Sequence, residues 1–138
     1  MQATIATFKR ILALSFLAAA TLVFTSPLMA QETITPIMTH ALAAAPGSEA
    51  LMYTVDFPPG FSSSIHRHDA QVSVYVLEGS VVMQVKGGKE VTLTPGQTFY
   101  EGPKDVHTVG RNASKTKPAK FVVFFVKDKG APVLVVDK

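Results

Sequence analysis

Cysteine is missing from all 138 residues of the chain. That excludes disulfides, a thiolate nucleophile, cysteine metal ligands and a lipid-bearing cysteine anchor. Recognisable Ser-His-Asp groupings and phosphate-cradling glycine loops are missing too. After residue 45 no segment sustains the 3.6-residue apolar period of a helix, and no internal repeat is evident. An excess of basic charge is present only nominally. The chain has 13 Lys and Arg against 10 Asp and Glu, but two of the basic residues, Lys9 and Arg10, lie in the N-terminal leader described next. Without them the balance is 11 to 10, or +1. The cluster Arg111, Lys115, Lys117 and Lys120 reads as a solvated loop, because no aromatic side chains interleave to stack bases. Nucleic acid is therefore not an expected partner.

The first 30 residues have the layout of an export signal. Lys9 and Arg10 precede an apolar run from Ile11 to Phe24. Ser26 and Pro27 then break the helix, and Ala30 offers a small residue for cleavage. The run is shorter than the ~20 residues needed to span a bilayer. We expect residues 1–30 to be a cleaved signal helix. Residues 31–138 then form a single periplasmic or secreted domain, with no membrane attachment after cleavage. At about 108 residues, that domain is large enough for an ordinary apolar core.

What the mature chain does contain is short β-type runs. "EALMYTVDF" (49–57) ends at Pro58-Pro59-Gly60. "VSVYVLEG" (72–79) turns at Glu78-Gly79-Ser80. "VVMQVK" (81–86) and "EVTLT" (90–94) flank Gly87-Gly88, a hairpin signal. "QTFYE" (97–101), "DVHTVG" (105–110), "FVVFFV" (121–126) and "PVLVV" (132–136) follow. Short strands at close spacing with Gly and Pro turns predict an all-β sandwich or barrel.

The chemistry concentrates in "HRHDAQVSVYVLEG" (66–79). Side chains two apart on a strand share a face, so His66 and His68 point together. Imidazole suits zinc, copper, iron and nickel. Taken alone, His-x-His is as readily an exposed polar loop. His107 is the candidate third ligand, and His40, ahead of a small-residue loop, is not one. Glu101 is a candidate general acid or base or an unconventional ligand, against the plainer reading of a surface residue. By parity Tyr75 faces away from the histidines, towards packing or a dimer interface, and Arg67 and Asp69 are solvated. Met83 and Gln84 straddle the two faces, so one of them lines a cavity.

"GFSSSIHRHDAQVSVYVLEG" (60–79) and "PGQTFYEGPKDVHTVGRN" (95–112) resemble the two motifs of the cupins. Gly60, His66, His68 and Gly79 match the first motif. Gly96 and His107 match the second, with Gly102 at its proline position, Pro103 one residue later and Asn112 one residue late. The resemblance covers about 34–136. It implies a six-stranded double-stranded β-helix, a jelly-roll barrel that is often dimeric, with its site in the barrel mouth. It also implies a divalent transition metal (zinc, iron, manganese, copper or nickel) held by His66, His68 and His107, and a small organic molecule as substrate or ligand. Oxygenation, isomerisation or hydrolysis would be the reaction. A metal-independent binding or sensing module is the alternative.

One position departs from the pattern. Where the first motif carries its metal-binding glutamate, this chain has Val72. Parity puts Val72 on the histidine face together with Ala70, Val74 and Val76. Gln71 would be a fourth ligand only if the strand slipped by one residue, which reverses the face.

Overall fold

A computed structural model of the chain describes residues 30–136. The expected signal helix lies almost wholly outside these residues. Among them no helix is long and apolar enough to cross a membrane.

The described residues form nine strands: β1 (Thr33–Ala41), β2 (Ser48–Phe57), β3 (His66–Arg67), β4 (Ala70–Glu78), β5 (Val81–Val85), β6 (Val91–Leu93), β7 (Thr98–Glu101), β8 (Val106–Asn112) and β9 (Ala119–Asp128). They make two antiparallel sheets, ordered β1-β2-β9-β4-β7 and β3-β8-β5-β6. The all-β expectation holds. Seven of the eight runs read from the sequence become strands, and β1 and the two-residue β3 bring the count to nine, against the six that the resemblance implies. β1 has no alternating pattern to betray it: it is the edge strand of its sheet and almost wholly exposed. The expected strand at 132–136 shrinks to a single bridge between Arg67 and Val135, since β3 is too short to pair with more.

Burial follows strand parity. In β4, Ala70, Val72, Val74 and Val76 are buried, while Gln71, Ser73 and Tyr75 are exposed. In β9, Phe121, Val123 and Phe125 face the same core, in register with Val76, Val74 and Val72. Such alternation, repeated across paired strands, is what closes two sheets over one apolar interior. Phe57 packs edge-on against Phe121, with ring centroids 4.8 Å apart. The turn from β4 to β5 depends on Gly79, at φ +70°: a Cβ there would lie 2.5 Å from the carbonyl oxygen of Pro118 and 2.8 Å from Cα of Ala119. The hairpin expected around Gly87-Gly88 joins β5 to β6, with Val81 opposite Leu93.

Candidate metal centre

The four candidate groups come from both sheets. His66 on β3 is directly opposite His107 on β8, so two residues far apart in sequence become cross-strand neighbours. His68 sits in the link that carries the chain from β3 to β4. The sequence-based parity survives this link, and His66 and His68 are both buried with their rings 4.9 Å apart. The rings of His66 and His107 are also 4.9 Å apart. Two imidazoles sharing an ion at the usual ~2.1 Å nitrogen distance would hold their rings about 4.5–5.2 Å apart, so both of these separations have the right size.

Backbone carbonyls orient two of the rings. Nδ1 of His66 donates to the carbonyl of Ser64 at 2.8 Å, and Nδ1 of His68 donates to the carbonyl of Val133. A carbonyl only accepts, so each Nδ1 carries the proton and each neutral ring keeps its lone pair on Nε2. Metal-binding histidines are held in this way. Burial lowers the pKa of His68 and, together with the neighbouring His66, lowers that of His107 to about 4. Both rings are therefore neutral near pH 7.

Val72 faces inward, as parity requires, and is 0% exposed. It does not reach the cavity surface. Its cross-strand partner does. Glu101, the last residue of β7, is directly opposite Val72 and is 2% exposed. Its Oε2 lies 3.9 Å from Nε2 of His68, and its Oε1 lies 3.6 Å from Nδ1 of His107. Burial, and secondarily Asp105, raises its pKa to about 7. These contacts join a discharged histidine to a carboxyl near its midpoint, so they are not ordinary ion pairs. Glu101 Oε2 and His107 Nε2 are buried without a hydrogen-bond partner. Buried polar atoms are rarely left so, and an unpartnered carboxyl oxygen and an unpartnered imidazole nitrogen are both donor types that suit a transition cation. Among the described residues no three His, Cys, Asp or Glu side chains stand in a closed coordination set; the four groups surround the space without being drawn together. The ring spacing, the carbonyl-fixed tautomers and the two unpartnered atoms make the donor set fit a divalent transition ion.

Gln71 is exposed on the outer face and lines a separate surface depression with Asp69 and Asp128, because β4 does not slip. His40 is exposed on β1. Tyr75 is on the outer face, 46% exposed. Of the two residues expected to straddle the faces, Met83 lines the cavity, while Gln84 turns its amide to the carbonyl of Gly88. Arg67 pairs with Asp69. Asn112 is a structural residue: its Nδ2 donates to the carbonyls of Pro58 and Lys117, and its Oδ1 accepts from the amide of Ser114.

His66, His68, His107 and Glu101 line a cavity of about 540 Å3, within the about 300–1,000 Å3 typical of small-molecule sites. Gly110 packs under the His107 ring. A Cβ at that position would lie 3.0 Å from Cε1 of His107 and 2.7 Å from Oγ of Ser63.

Two antiparallel sheets closed over a histidine-lined mouth define a class of protein, and the family comparison agrees. The chain matches the model of the cupin domain over residues 53–125, more than half its length, and it belongs to the cupins. No functionally curated protein matches it. Among solved structures it is similar to the DMSP lyase DddQ from Ruegeria pomeroyi. That likeness has a TM-score of 0.63 at 18% identity, and covers 83% of this chain but 55% of the lyase. A double-stranded β-helix protein from Klebsiella pneumoniae has a TM-score of 0.62 at 17% identity, covering 83% of this chain and 92% of that one. An oxalate oxidase in complex with the substrate analogue glycolate has a TM-score of 0.57 at 26% identity, covering 75% of this chain and 54% of the oxidase. The chain thus spans only about half the length of the lyase and of the oxidase.

Proposed function

We propose that this cupin is an exported protein that binds one divalent transition ion through His66, His68 and His107. Glu101 takes the place of the carboxylate missing at Val72. The observation that carries this reading is the cross-strand register: Glu101 is opposite Val72, and its two oxygens stand within 4 Å of two of the histidines. A carboxylate delivered from β7 reaches the same interior space as one delivered from β4, because opposed residues of an antiparallel pair share a face.

The activity is on a small organic molecule. Oxygenation, isomerisation and hydrolysis all remain within reach of the donor set, and the similarity to an oxalate oxidase and a DMSP lyase supports chemistry at this position. A bound ion would supply Lewis-acid polarisation and a water of lowered pKa. The chain's own contribution is positional. The carbonyls of Ser64 and Val133 keep the two Nε2 lone pairs aimed inward, and the apolar walls keep bulk water away. Glu101, its pKa raised to about 7 by burial, can hold or release a proton near neutral pH.

The test is metal content after purification without chelator or nickel affinity steps. We expect about one equivalent, and His107→Ala should lose it while its β-sheet circular dichroism is unchanged. A parent protein that holds no ion, and gains no thermal stability from zinc, iron, manganese, copper or nickel, overturns the proposal in favour of a metal-independent binding module.

A further inference from the structure

β9 is the middle strand of the five-stranded sheet, and it is apolar on both sides. Phe121, Val123 and Phe125 fill the core, while Val122, Phe124 and Val126 alternate with them, turned outward and half-buried. A continuous apolar run of this kind belongs to a strand covered on both faces, yet the second sheet of the described residues covers one face only. Pairing carries the uncovered face from edge to edge. Opposed residues of antiparallel strands share a face, so Met38, Met52, Phe124, Ser73 and Tyr100 form one row across all five strands. The row on one side holds Thr54, Val122, Tyr75 and Thr98, and the row on the other holds Ala50, Val126 and Gln71. None of these residues carries a formal charge. Charge returns at the strand ends, where Lys120 is opposite Asp56 and Glu78 and meets Asp56 at 3.3 Å. The outer face of the other sheet differs in kind: Gln84 bonds to the carbonyl of Gly88, and Arg111 pairs with Glu90.

An uncharged centre with exposed aromatics and charge at its ends has the make-up of an interface core and rim. Five strands at ~4.8 Å spacing, by three rows along ~20 Å of strand, give about 500 Å2 of uncharged surface, and the charged ends extend it towards the ~800 Å2 per partner of a stable complex. From this geometry we infer that two copies of the chain pack back to back through the outer face of the β1-β2-β9-β4-β7 sheet, as a two-fold dimer. A two-fold contact needs a protrusion and a recess on the same patch. Tyr75 and Tyr100 protrude, 46% and 57% exposed. Ser73, opposite both Phe124 and Tyr100, leaves the recess between two rings. A two-fold axis beside Ser73 seats a tyrosine of each copy over the serine of the other. An anionic lipid surface is a poorer occupant, because the charged end offers two carboxylates against one ammonium. The histidines and Glu101 lie on the inner side of the sheet, so this inference does not depend on metal being bound.

Because the chain has no cysteine, a single introduced thiol reports only its own surroundings. Protein recovered from the producing cells and carrying Ser73→Cys is compared with Thr92→Cys, which lies exposed on the outer side of the other sheet. Both are treated with a short bismaleimide cross-linker, and the parent is sedimented alongside. We expect the parent to sediment as a dimer at about 10 μM, and S73C to form covalent dimer at least tenfold faster than T92C. Ser73→Arg, which sets an unpaired guanidinium in the interface core, should weaken dimerisation at least a hundredfold with its β-sheet circular dichroism retained. Thr92→Lys should leave the dimer as it is. A monomeric parent, equal cross-linking of the two thiols, or an S73R protein as dimeric as the parent overturns the assignment. Should S73R lose its β-sheet signal, the cross-linking ratio of the milder S73C decides.

Discussion

Glu101→Gln should make the metal-free protein more stable and the metal-loaded one less so. In the parent, burial raises the Glu101 pKa from 4.5 to about 7. The group is nearly inaccessible, so solvent does little to screen it. An acid whose folded pKa lies above its unfolded value binds more protons folded than unfolded. Its contribution to stability is therefore full below about pH 4.5 and is lost as pH rises through 7. At 1.36 kcal/mol per pKa unit the loss by pH 8 is about 3 kcal/mol. His107 runs the other way. Its folded pKa of about 4 lies below the usual 6.5, so it favours the fold above pH 6.5 and loses that contribution as pH falls toward 4. In the parent the two trends oppose each other between about pH 4.5 and 6.5. Glutamine keeps the shape of the acid, removes its charge, and has N–H groups to offer the His68 and His107 nitrogens. We expect E101Q, stripped of metal, to gain about 2–3 kcal/mol at pH 8 and almost nothing below pH 4.5. For a domain of this size that is a rise in melting temperature of roughly 8–12 °C. The stabilisation of the parent by zinc should shrink in the variant, because an anionic donor has been lost. Thermal melts followed by circular dichroism from pH 4 to 8, with chelator and with zinc, provide the assay. A variant less stable than the parent at pH 8, or a difference independent of pH, would refute the account of Glu101 as a carboxylate held against its own ionisation.

Val72→Glu alone should destabilise the metal-free protein by several kcal/mol, by placing a second carboxyl beside Glu101 in a buried pair. The double variant V72E/E101V should restore metal affinity that Glu101→Val removes; failure to rescue, measured by competition titration, means the two positions do not reach the same space. Gly110→Ala pushes on the His107 ring, so metal affinity should fall at least tenfold while the chelator-treated protein melts within a few degrees of the parent. Exported protein should have an intact mass that begins at or near Gln31, and a mass retaining residues 1–30 would remove the export reading.

Much of the architecture can be read from residues because it is local. The inward set Ala70, Val72, Val74 and Val76 follows from the period of a strand, and the β5–β6 hairpin follows from Gly87-Gly88. The convergence of His66 with His107 needed the family resemblance, since nothing local joins residues 41 positions apart. The place of Glu101 was least legible. It depends on the register of β7 against β4, and β5 and β6 intervene between them, so no turn length sets that register. A lone glutamate ending "QTFYE" looks like any strand-end acid until the opposite residue is known to be Val72. Gln71 was attractive only because it is polar and adjacent to Val72; the pleat turns it outward.

The bond from His68 to the carbonyl of Val133 spans 65 positions. Apart from this bond, the stretch that carries Val133 is tied to β3 by the amides and carbonyls of Arg67 and Val135. The direction in which the His68 lone pair faces is therefore decided by residues 133–135, far from it in sequence. A substitution or deletion within residues 133–135, ordinarily regarded as remote, would here turn a ring of the candidate metal centre.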